Sequence, residues 1–349
     1  MKVTSATDYS IQPVDLSHMS DDQLRPFVEF AWRRSKEEVP EDPVLPFEAM
    51  ATRMRMTSPM FVRQRWAIWS EPSKIAATVT VNRSTQDNLN IRDVDVEVDP
   101  DHRRRGLGKK LLAKAVEACG SADDLVLQGW TMSRLPSGAA FAERVGAKPG
   151  LRMRNSQLDL GSIDRELIRT WAAIEPPGYR IEFIDGDTPD DLMDNVVTAI
   201  RAINTMPRED LQMEDWKITA DTVREWERMG RARGQEHRMA LVIEESTGAS
   251  AAFTEFFFDP RVPSILHQGG TATIQEHRGK GIGKWVKARM AQRVLDELPD
   301  ARYIRTDNAG TNAAMLAINV AMGFKPVWES VIWQIPLADA RRYVLTQRP

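Results

Sequence analysis

The sequence has almost no cysteine, and this absence excludes two classes of structure at the outset. Cys119 is the only cysteine among 349 residues, so neither an intrachain disulfide nor a cysteine-rich zinc site can form. The five histidines lack metal-ligand spacing such as HExxH; they are His18, His102, His237, His267 and His277. We therefore expect no bound metal and a reducing compartment.

Long apolar runs are also missing. The chain contains no stretch of eighteen apolar residues, which a membrane-spanning helix would need. Its first residues, MKVTSATDYSIQPVD, lack the apolar segment of a signal peptide. These features predict a cytoplasmic protein without a membrane partner.

The sequence has no excess of basic residues. Lysine and arginine number 47 against 50 aspartates and glutamates, for a net charge of −3, whereas dedicated nucleic-acid-binding proteins are usually basic. We expect no nucleic-acid partner. Hydrophobic residues make up 42% of the chain, enough for a substantial core, and its length favours two domains.

Two segments of the first half recur in the second. The stretch YSIQPVDLSHMSDDQL, from Tyr9, resembles YRIEFIDGDTPDDLMD, from Tyr179, and each predicts a short strand followed by a helix. RxxGxG occurs from Arg103 and again from Arg278, 175 positions later. We infer a tandem duplication with a boundary near IEPPGYR, residues 174–180, and predict domains at 1–172 and 178–349.

Each RxxGxG segment stands between a predicted strand and a predicted helix. Before the first copy, Val94, Val96 and Val98 alternate with acidic residues, as in a half-buried strand. Glycines permit a tight turn, and the unpaired N–H groups that begin a helix attract anions. The segment matches neither a P-loop nor the GxGxxG of dinucleotide-binding folds. A basic helix cap without a ligand is the alternative to a pyrophosphate site.

The segment Val98-Asp99-Pro100-x-x-Arg103-x-x-Gly106-x-Gly108 resembles motif A of the GNAT superfamily of N-acetyltransferases. TDNAGTNAAMLAINVAMGFKP, residues 306–326, resembles a second diagnostic region, with Asn312 eleven residues before Gly323. The whole chain is similar to the tandem GNATs of actinobacteria, the group that includes mycothiol synthase. The resemblance implies an α/β (mixed α+β) fold of two GNAT domains, each a twisted mixed sheet flanked by helices, with acetyl-CoA bound where two parallel strands splay apart.

The resemblance assigns residues of both halves to CoA, through the strand and loop that would contact pantetheine and pyrophosphate. In the first half they are Val96, Glu97, Val98, Arg103, Arg104, Arg105, Gly106, Leu107, Gly108 and Lys109. In the second half they are Thr271, Ala272, Thr273, Arg278, Gly279, Lys280, Gly281, Ile282, Gly283, Lys284, Asn308 and Asn312. Of these, Ala272 and Thr273 are the implied backbone donors to the thioester carbonyl.

The second half matches the GNAT motifs more completely than the first half does. Leu135 stands where the second half has Asn312, and Ala147 follows Gly146 where the second half has Gly-Phe. We therefore predict that the carboxy-terminal domain is catalytic. The amino-terminal domain either holds CoA without reacting or serves as a scaffold.

The sequence offers candidate acid–base groups in the second half. Asn319 occupies the position of the family's usual tyrosine acid, so another group protonates the leaving thiolate or it departs unassisted. Glu255 interrupts an apolar strand and is the first candidate base, with a solvent-facing role as its alternative. His267 is the second candidate. The segment 205–216 carries acidic residues that could attract a cationic amine, or that simply face solvent.

These features predict an acetyl-CoA-dependent N-acetyltransferase that acts on a primary amine of a small molecule by direct transfer. The alternatives are a catalytically silent, CoA-binding or regulatory tandem GNAT and a protein lysine or N-terminal acetyltransferase. A more distant alternative is a nucleic-acid-binding protein that uses both basic loops. We expect a monomer or homodimer.

Overall fold

A computed structural model describes residues 9–122 and 124–346, so the first eight residues of the amino-terminal stretch considered above lie outside it. The first half of the chain forms β1 (Ile11–Pro13), α1 (Asp21–Glu38), α2 (Phe47–Arg55), β2 (Phe61–Glu71), β3 (Lys74–Ser84), β4 (Ile91–Val98), α3 (Leu107–Ala118), β5 (Val126–Met132), α4 (Pro136–Val145), β6 (Lys148–Asp159) and α5 (Arg165–Ala173).

The second half repeats this order. It forms β7 (Tyr179–Asp185), α6 (Met193–Arg201), α7 (Ala220–Ala232), β8 (Glu236–Glu244), β9 (Ser250–Phe258), β10 (Ile265–Thr273), α8 (Ile282–Glu297), β11 (Tyr303–Ala309), α9 (Ala313–Met322), β12 (Lys325–Pro336) and α10 (Leu337–Thr346). No described helix combines the length and the apolar character that crossing a bilayer requires.

The compact units do not follow the predicted ranges 1–172 and 178–349. The first unit comprises the described residues up to Leu151, the short segment Asp210–Glu214 and the chain from Ser330 onward. The second comprises Arg152–Glu209 and Asp215–Glu329. Strand pairing explains the difference. Part of β6 pairs antiparallel with β11 in the second unit, and the end of β12 pairs antiparallel with β5 in the first. The two halves therefore exchange their last strands.

The first unit is a mixed sheet with the strand order β1-β2-β3-β4-β5-β12. Only β4 and β5 run parallel; the other recorded pairs are antiparallel. Leu107 and Leu111 of α3 pack on Val79 and Val81 of β3, because apolar residues of the helix recur on one face. Leu337 of α10 lies in a neighbouring apolar cluster.

The second unit has the corresponding order β7-β8-β9-β10-β11-β6, with β10 and β11 parallel. One face of its sheet packs against α8 through Val286 and Met290, together with Leu158 of the exchanged β6. The other face packs against α6 through Val196 and Ile200. Sheets covered by helices in this way are mixed α/β, as predicted.

The duplication is visible in matched side-chain contacts. The Tyr9 hydroxyl lies 3.0 Å from Nδ1 of His102, just before the first basic loop. The Tyr179 hydroxyl lies 2.9 Å from Nδ1 of His277, just before the second. In both units a tyrosine at or just before the start of the first strand therefore contacts the turn that precedes the loop.

The exchanged carboxy-terminal segment should stabilise the first unit. Leu337 is fully buried whereas Leu345, in the same helix, is 73% exposed. Leu337→Ala should lower the free energy of unfolding of that unit by about 2–5 kcal/mol, because it removes buried methyl groups and leaves a cavity. Leu345→Ala should change it by less than about 0.5 kcal/mol.

Hydrogen exchange measured by mass spectrometry checks which unit responds. Leu337→Ala should accelerate exchange in α3 of the first unit and leave α8 of the second unchanged. Equal loss of protection in α3 and α8 would contradict the assignment of α10 to the first unit.

Candidate functional site

A slit opens in each sheet between its two parallel strands. In the second unit the parallel pairing covers Ile265–His267 and Tyr303–Arg305, although β10 continues to Thr273 and β11 to Ala309. In the first unit the pairing of β4 with β5 likewise ends at Asp93. The resemblance to GNAT enzymes implies that acetyl-CoA enters such a slit.

The basic loops follow β4 and β10 and end in a left-handed glycine. Gly106 has φ of 79° and Gly281 has φ of 82°, and each stands directly before a long helix. Side chains other than glycine rarely adopt this backbone conformation. The helices that follow begin with N–H groups that lack partners within the helix, which makes each loop a candidate anion site.

Several of the predicted CoA-binding cations also hold the loop in place. Nε of Arg278 donates to the Thr273 carbonyl at 3.0 Å, and its Nη2 donates to the Thr205 hydroxyl at 2.6 Å. Nζ of Lys280 donates to the Tyr179 hydroxyl at 2.8 Å, and this bond raises the lysine pKa. These side chains connect the loop to its own strand and turn. Their contact with CoA stays a prediction.

The two predicted carbonyl donors, Ala272 and Thr273, point in opposite directions. The Ile274 N–H donates to the Ala251 carbonyl at 2.9 Å, on the β9 side of β10. Because alternate residues of a strand bond to the same neighbour, the Ala272 N–H faces β9 and the Thr273 N–H faces the slit. The Thr273 carbonyl, which accepts from the loop, points away from β9 as well. Thr273 is therefore the better placed donor.

A β-bulge at Gly269 and Gly270 distinguishes β10 from β4. The pairing of β10 with β9 shifts register there, whereas β4 pairs with β3 without a shift over its whole recorded length. A Cβ at Gly269 would lie 2.7 Å from the Phe257 ring, and one at Gly270 would lie 2.6 Å from the Phe253 ring. A side chain at either position would therefore displace a neighbouring aromatic ring, and the second unit has an irregularity at the slit that the first lacks.

Glu255 contacts this bulge directly. Its Oε1 accepts from the Gly270 N–H at 2.9 Å, and its Oε2 lies 3.0 Å from Nε2 of His237. The imidazole stacks on Phe257 with ring centroids 4.7 Å apart. Burial disfavours the imidazolium, but the hydrogen bond and the charge of Glu255 outweigh it, so the pKa of His237 is raised. We call Glu255 and His237 the carboxylate–imidazole pair.

The carboxylate–imidazole pair lines a cavity of about 350 Å³ in the second unit. Trp226, Met239 and Phe257 contribute apolar surface to its wall, and Asp187 and Glu227 contribute carboxylates. Such a wall suits a small molecule with an apolar body and an amino group. Among the residues described, no three histidines, cysteines or acidic residues are grouped so that they could hold a metal ion.

His267, the other candidate base, lies next to a residue of the cavity wall but does not line the cavity. It is exposed on β10, opposite Phe257 in register, and the described residues that line the cavity do not include it. The sequence analysis missed His237, which partners Glu255 instead. His237 lies in β8, and its proximity to Glu255 follows only from the pairing of β8 with β9.

Two of the three predicted asparagines bond to each other, and the third caps a helix. Asn319 is 2% exposed and donates to Oδ1 of Asn308 at 2.7 Å, while its own Oδ1 is buried without a hydrogen-bond partner. Asn312 caps α9, because its Oδ1 accepts from the Met315 N–H at 3.3 Å. The cap uses the amide oxygen of Asn312 and leaves its amide nitrogen for the predicted contact with CoA.

The first unit carries a different group at the corresponding place on its strand. Glu97 stands where β10 has Ala272, and Nε of Arg34 lies 3.6 Å from its carboxylate. Burial, followed by the charge of Asp95, raises the pKa of the Glu97 carboxyl to about 8 despite that arginine. The first unit thus has a carboxyl group whose ionisation is disfavoured, whereas the second unit has a methyl group there.

Known proteins match both the sequence motif and the fold. Residues 24–146, which lie within the first unit, match the sequence profile of the acetyltransferase (GNAT) family. No curated protein matches the chain. The chain's structure is similar to that of a tandem GNAT protein from the clavulanic acid biosynthesis pathway, solved without acetyl-CoA. The two are 23% identical with a TM-score of 0.76, over 95% of this chain and 99% of that one.

A second solved structure supports the same architecture. A GCN5-related N-acetyltransferase from Sphaerobacter thermophilus is 13% identical to the chain, with a TM-score of 0.66 over 94% of this chain and 96% of that one. At these identities the likeness shows the fold alone. The predicted fold of two tandem GNAT domains is confirmed.

The second basic loop should bind CoA through its backbone. Gly281→Val should weaken CoA binding about tenfold or more, because a β-branched residue resists positive φ and the N–H groups would turn away from the phosphates. Isothermal titration calorimetry with CoA measures the change. Binding to the first loop is removed from the titration by placing Gly106→Val in every variant.

Gly248→Val is the matched control, since Gly248 also has positive φ, in the turn between β8 and β9. It should strain the backbone equally and leave CoA affinity unchanged. If Gly281→Val and Gly248→Val bound CoA with equal affinity, the second loop would not be a CoA site.

Proposed function

We propose that this chain is an acetyl-CoA-dependent N-acetyltransferase, and that its second unit transfers an acetyl group to the primary amine of a small molecule. The observation that carries the proposal is the position of Glu255, whose two carboxylate oxygens bond to the bulge beside the slit and to His237 in the cavity. A single side chain thus connects the two places that an acyl transferase must bring together.

The residues of the second unit divide the reaction among them. The loop that ends at Gly281 would hold the pyrophosphate of acetyl-CoA, and the Thr273 N–H would donate to the thioester carbonyl. The carboxylate–imidazole pair would remove a proton from the bound ammonium group, which leaves a nucleophilic amine. Attack on the thioester carbon forms the C–N bond and breaks the C–S bond. The released CoA thiolate takes up the proton that the attacking nitrogen loses, directly or through the pair.

The cavity favours a small acceptor over a protein side chain. Its volume of about 350 Å³ is typical of sites that bury a small ligand. Many of its carboxylates already have partners: Glu227 accepts from the Thr188 N–H and from Arg224, and Asp187 pairs with Arg231. Its charge is therefore partly compensated, and we propose an acceptor with one amino group on an apolar body.

The first unit has a distinct role in this proposal. It repeats the basic loop and the slit, and the GNAT family profile matches it, but its β4 has no bulge. We assign it CoA binding without transfer. A chain in which both units bind CoA and neither transfers acetyl groups is the regulatory alternative. Measured turnover with any small amine would exclude it.

Glu255→Gln should lower kcat for acetyl transfer about a hundredfold and barely change acetyl-CoA affinity, because it removes the base but keeps the side-chain shape. The same change should lower the pKa of His237, since the carboxylate charge stabilises the imidazolium. A steady-state assay of CoA release and an NMR titration of His237 measure these effects.

His267→Ala is the matched variant for the alternative base and should retain nearly full turnover. If Glu255→Gln were fully active across the pH range while His267→Ala was inactive, His267 would be the base. If both variants were fully active, the amine would lose its proton to water.

Variants of Asn312 test which unit transfers the acetyl group. Asn312→Ala should raise the KM for acetyl-CoA about tenfold through loss of the amide contact, and should also cost about 0.5–2 kcal/mol of stability through loss of the cap. Asn312→Ser keeps a capping oxygen, so it should raise KM without the loss of thermal stability.

Leu135→Ala alters the corresponding residue of the first unit and should leave transfer unchanged. If Gly106→Val abolished turnover and Asn312→Ala did not, transfer would belong to the first unit.

A further inference from the structure

A polar network lies inside the second unit, between α8 and the sheet. Lys287 of α8 is 2% exposed, and its Nζ donates to Oε1 of Gln268 at 2.6 Å. Nε2 of Gln268 donates to the hydroxyls of Thr254 and Thr271 at 2.9 and 3.2 Å. Those two hydroxyls lie 2.7 Å apart. The four side chains form one connected and buried group.

The network spans the bulge. Gln268 precedes Gly269 and Gly270, and Thr271 follows them, so the hydrogen bond from Gln268 to Thr271 joins the two sides of the irregular segment. Thr254 lies opposite Thr271 on β9. Because a bulge interrupts the ladder of backbone hydrogen bonds, these side chains supply contacts that the strands lack there.

The first unit shows that the fold does not require this network. In register, Thr254 and Thr271 correspond to the paired Val79 and Val96, and Lys287 corresponds to Leu112 of α3. Because the bulge adds one residue to β10, Gln268 corresponds to Val94. All four positions are apolar in the first unit, where they pack in its core.

Burial of these polar groups makes an unfavourable contribution to the free energy of folding. Burial lowers the pKa of Lys287 to about 7, because a charged ammonium group is disfavoured away from water. Its Nζ also lies 5.3 Å from the centroid of the Phe324 ring, whose face attracts a cation. Apolar replacement of buried polar networks is often neutral or stabilising. Stability of the sheet alone therefore does not account for these polar side chains.

We propose that Lys287, Gln268, Thr254 and Thr271 are positioning residues for acyl transfer, which fix the Gly269–Gly270 bulge so that the slit and Glu255 keep their productive geometry. This inference rests on the proposed function. The network reaches the bulge from the α8 face of the sheet, and Glu255 reaches it from the opposite face through the Gly270 N–H. The bulge is thus held on both faces, and Lys287 acts through Gln268 rather than on the substrate.

The test gives the second unit the apolar residues of the first. A chain with Thr254→Val, Gln268→Val, Thr271→Val and Lys287→Leu should unfold at the same temperature as the wild type or higher. Its kcat should fall about a hundredfold with little change in the KM for acetyl-CoA, because a displaced bulge misaligns reacting groups without removing the coenzyme loop. Hydrogen exchange should accelerate in residues 266–274 although the whole unit is no less stable.

Two further variants separate positioning from packing. Thr254→Ser keeps the hydroxyl and should retain kcat, whereas Thr254→Val keeps the shape and should reproduce most of the fall in kcat of the fourfold variant. Should the fourfold variant keep its kcat and its exchange rates, the network has no positioning role. If the wild type transfers no acetyl group, the proposed function fails, and the exchange rates alone then decide whether the network holds the bulge.

Discussion

Both candidate coenzyme sites depend on two parallel strands that pair over three residues and then part. Beyond that point the backbone N–H and C=O groups on the inner edges have no strand partner, and such groups are costly to leave unsatisfied. The loops respond to this constraint: Arg103 donates to the Val98 carbonyl and Arg278 to the Thr273 carbonyl. The remaining edge of the slit is available to the amide groups of an extended ligand.

The parts of this architecture that follow local rules could be predicted from the sequence. Alternation of valines indicated β4, glycine spacing indicated the turns, and Glu255 was expected in an apolar strand, where it lies. The pairing of Glu255 with His237 could not be predicted, because it depends on the register between β8 and β9. Single-sequence patterns do not determine the register of a strand that is buried on both faces.

Two further features of the sequence have a meaning that one half alone does not reveal. The Gly269–Gly270 pair in mid-strand is typical of a bulge, and Lys287 lies on the apolar stripe of its helix with Met290 and Val294. Comparison of the two units shows that the fold forms without either feature. In a duplicated chain each unit serves as a reference for the other. A polar residue in one unit where the other is apolar is therefore not required by the fold and indicates a difference in function.

The exchange of last strands has a consequence for synthesis. The sheet of the first unit is completed by Ser330–Pro336, a segment that leaves the ribosome only after the whole of the second unit, which ends at Glu329. The amino-terminal half therefore cannot finish folding while it is being made, in contrast to domains that fold one after another as they emerge. Its strand β5 must wait with an unpaired edge, and the closing contacts span about 200 residues, as in the bond between Trp333 and Thr131. Such long-range closure is slow and exposes the nascent chain to aggregation, so production of this protein should depend on protection during translation.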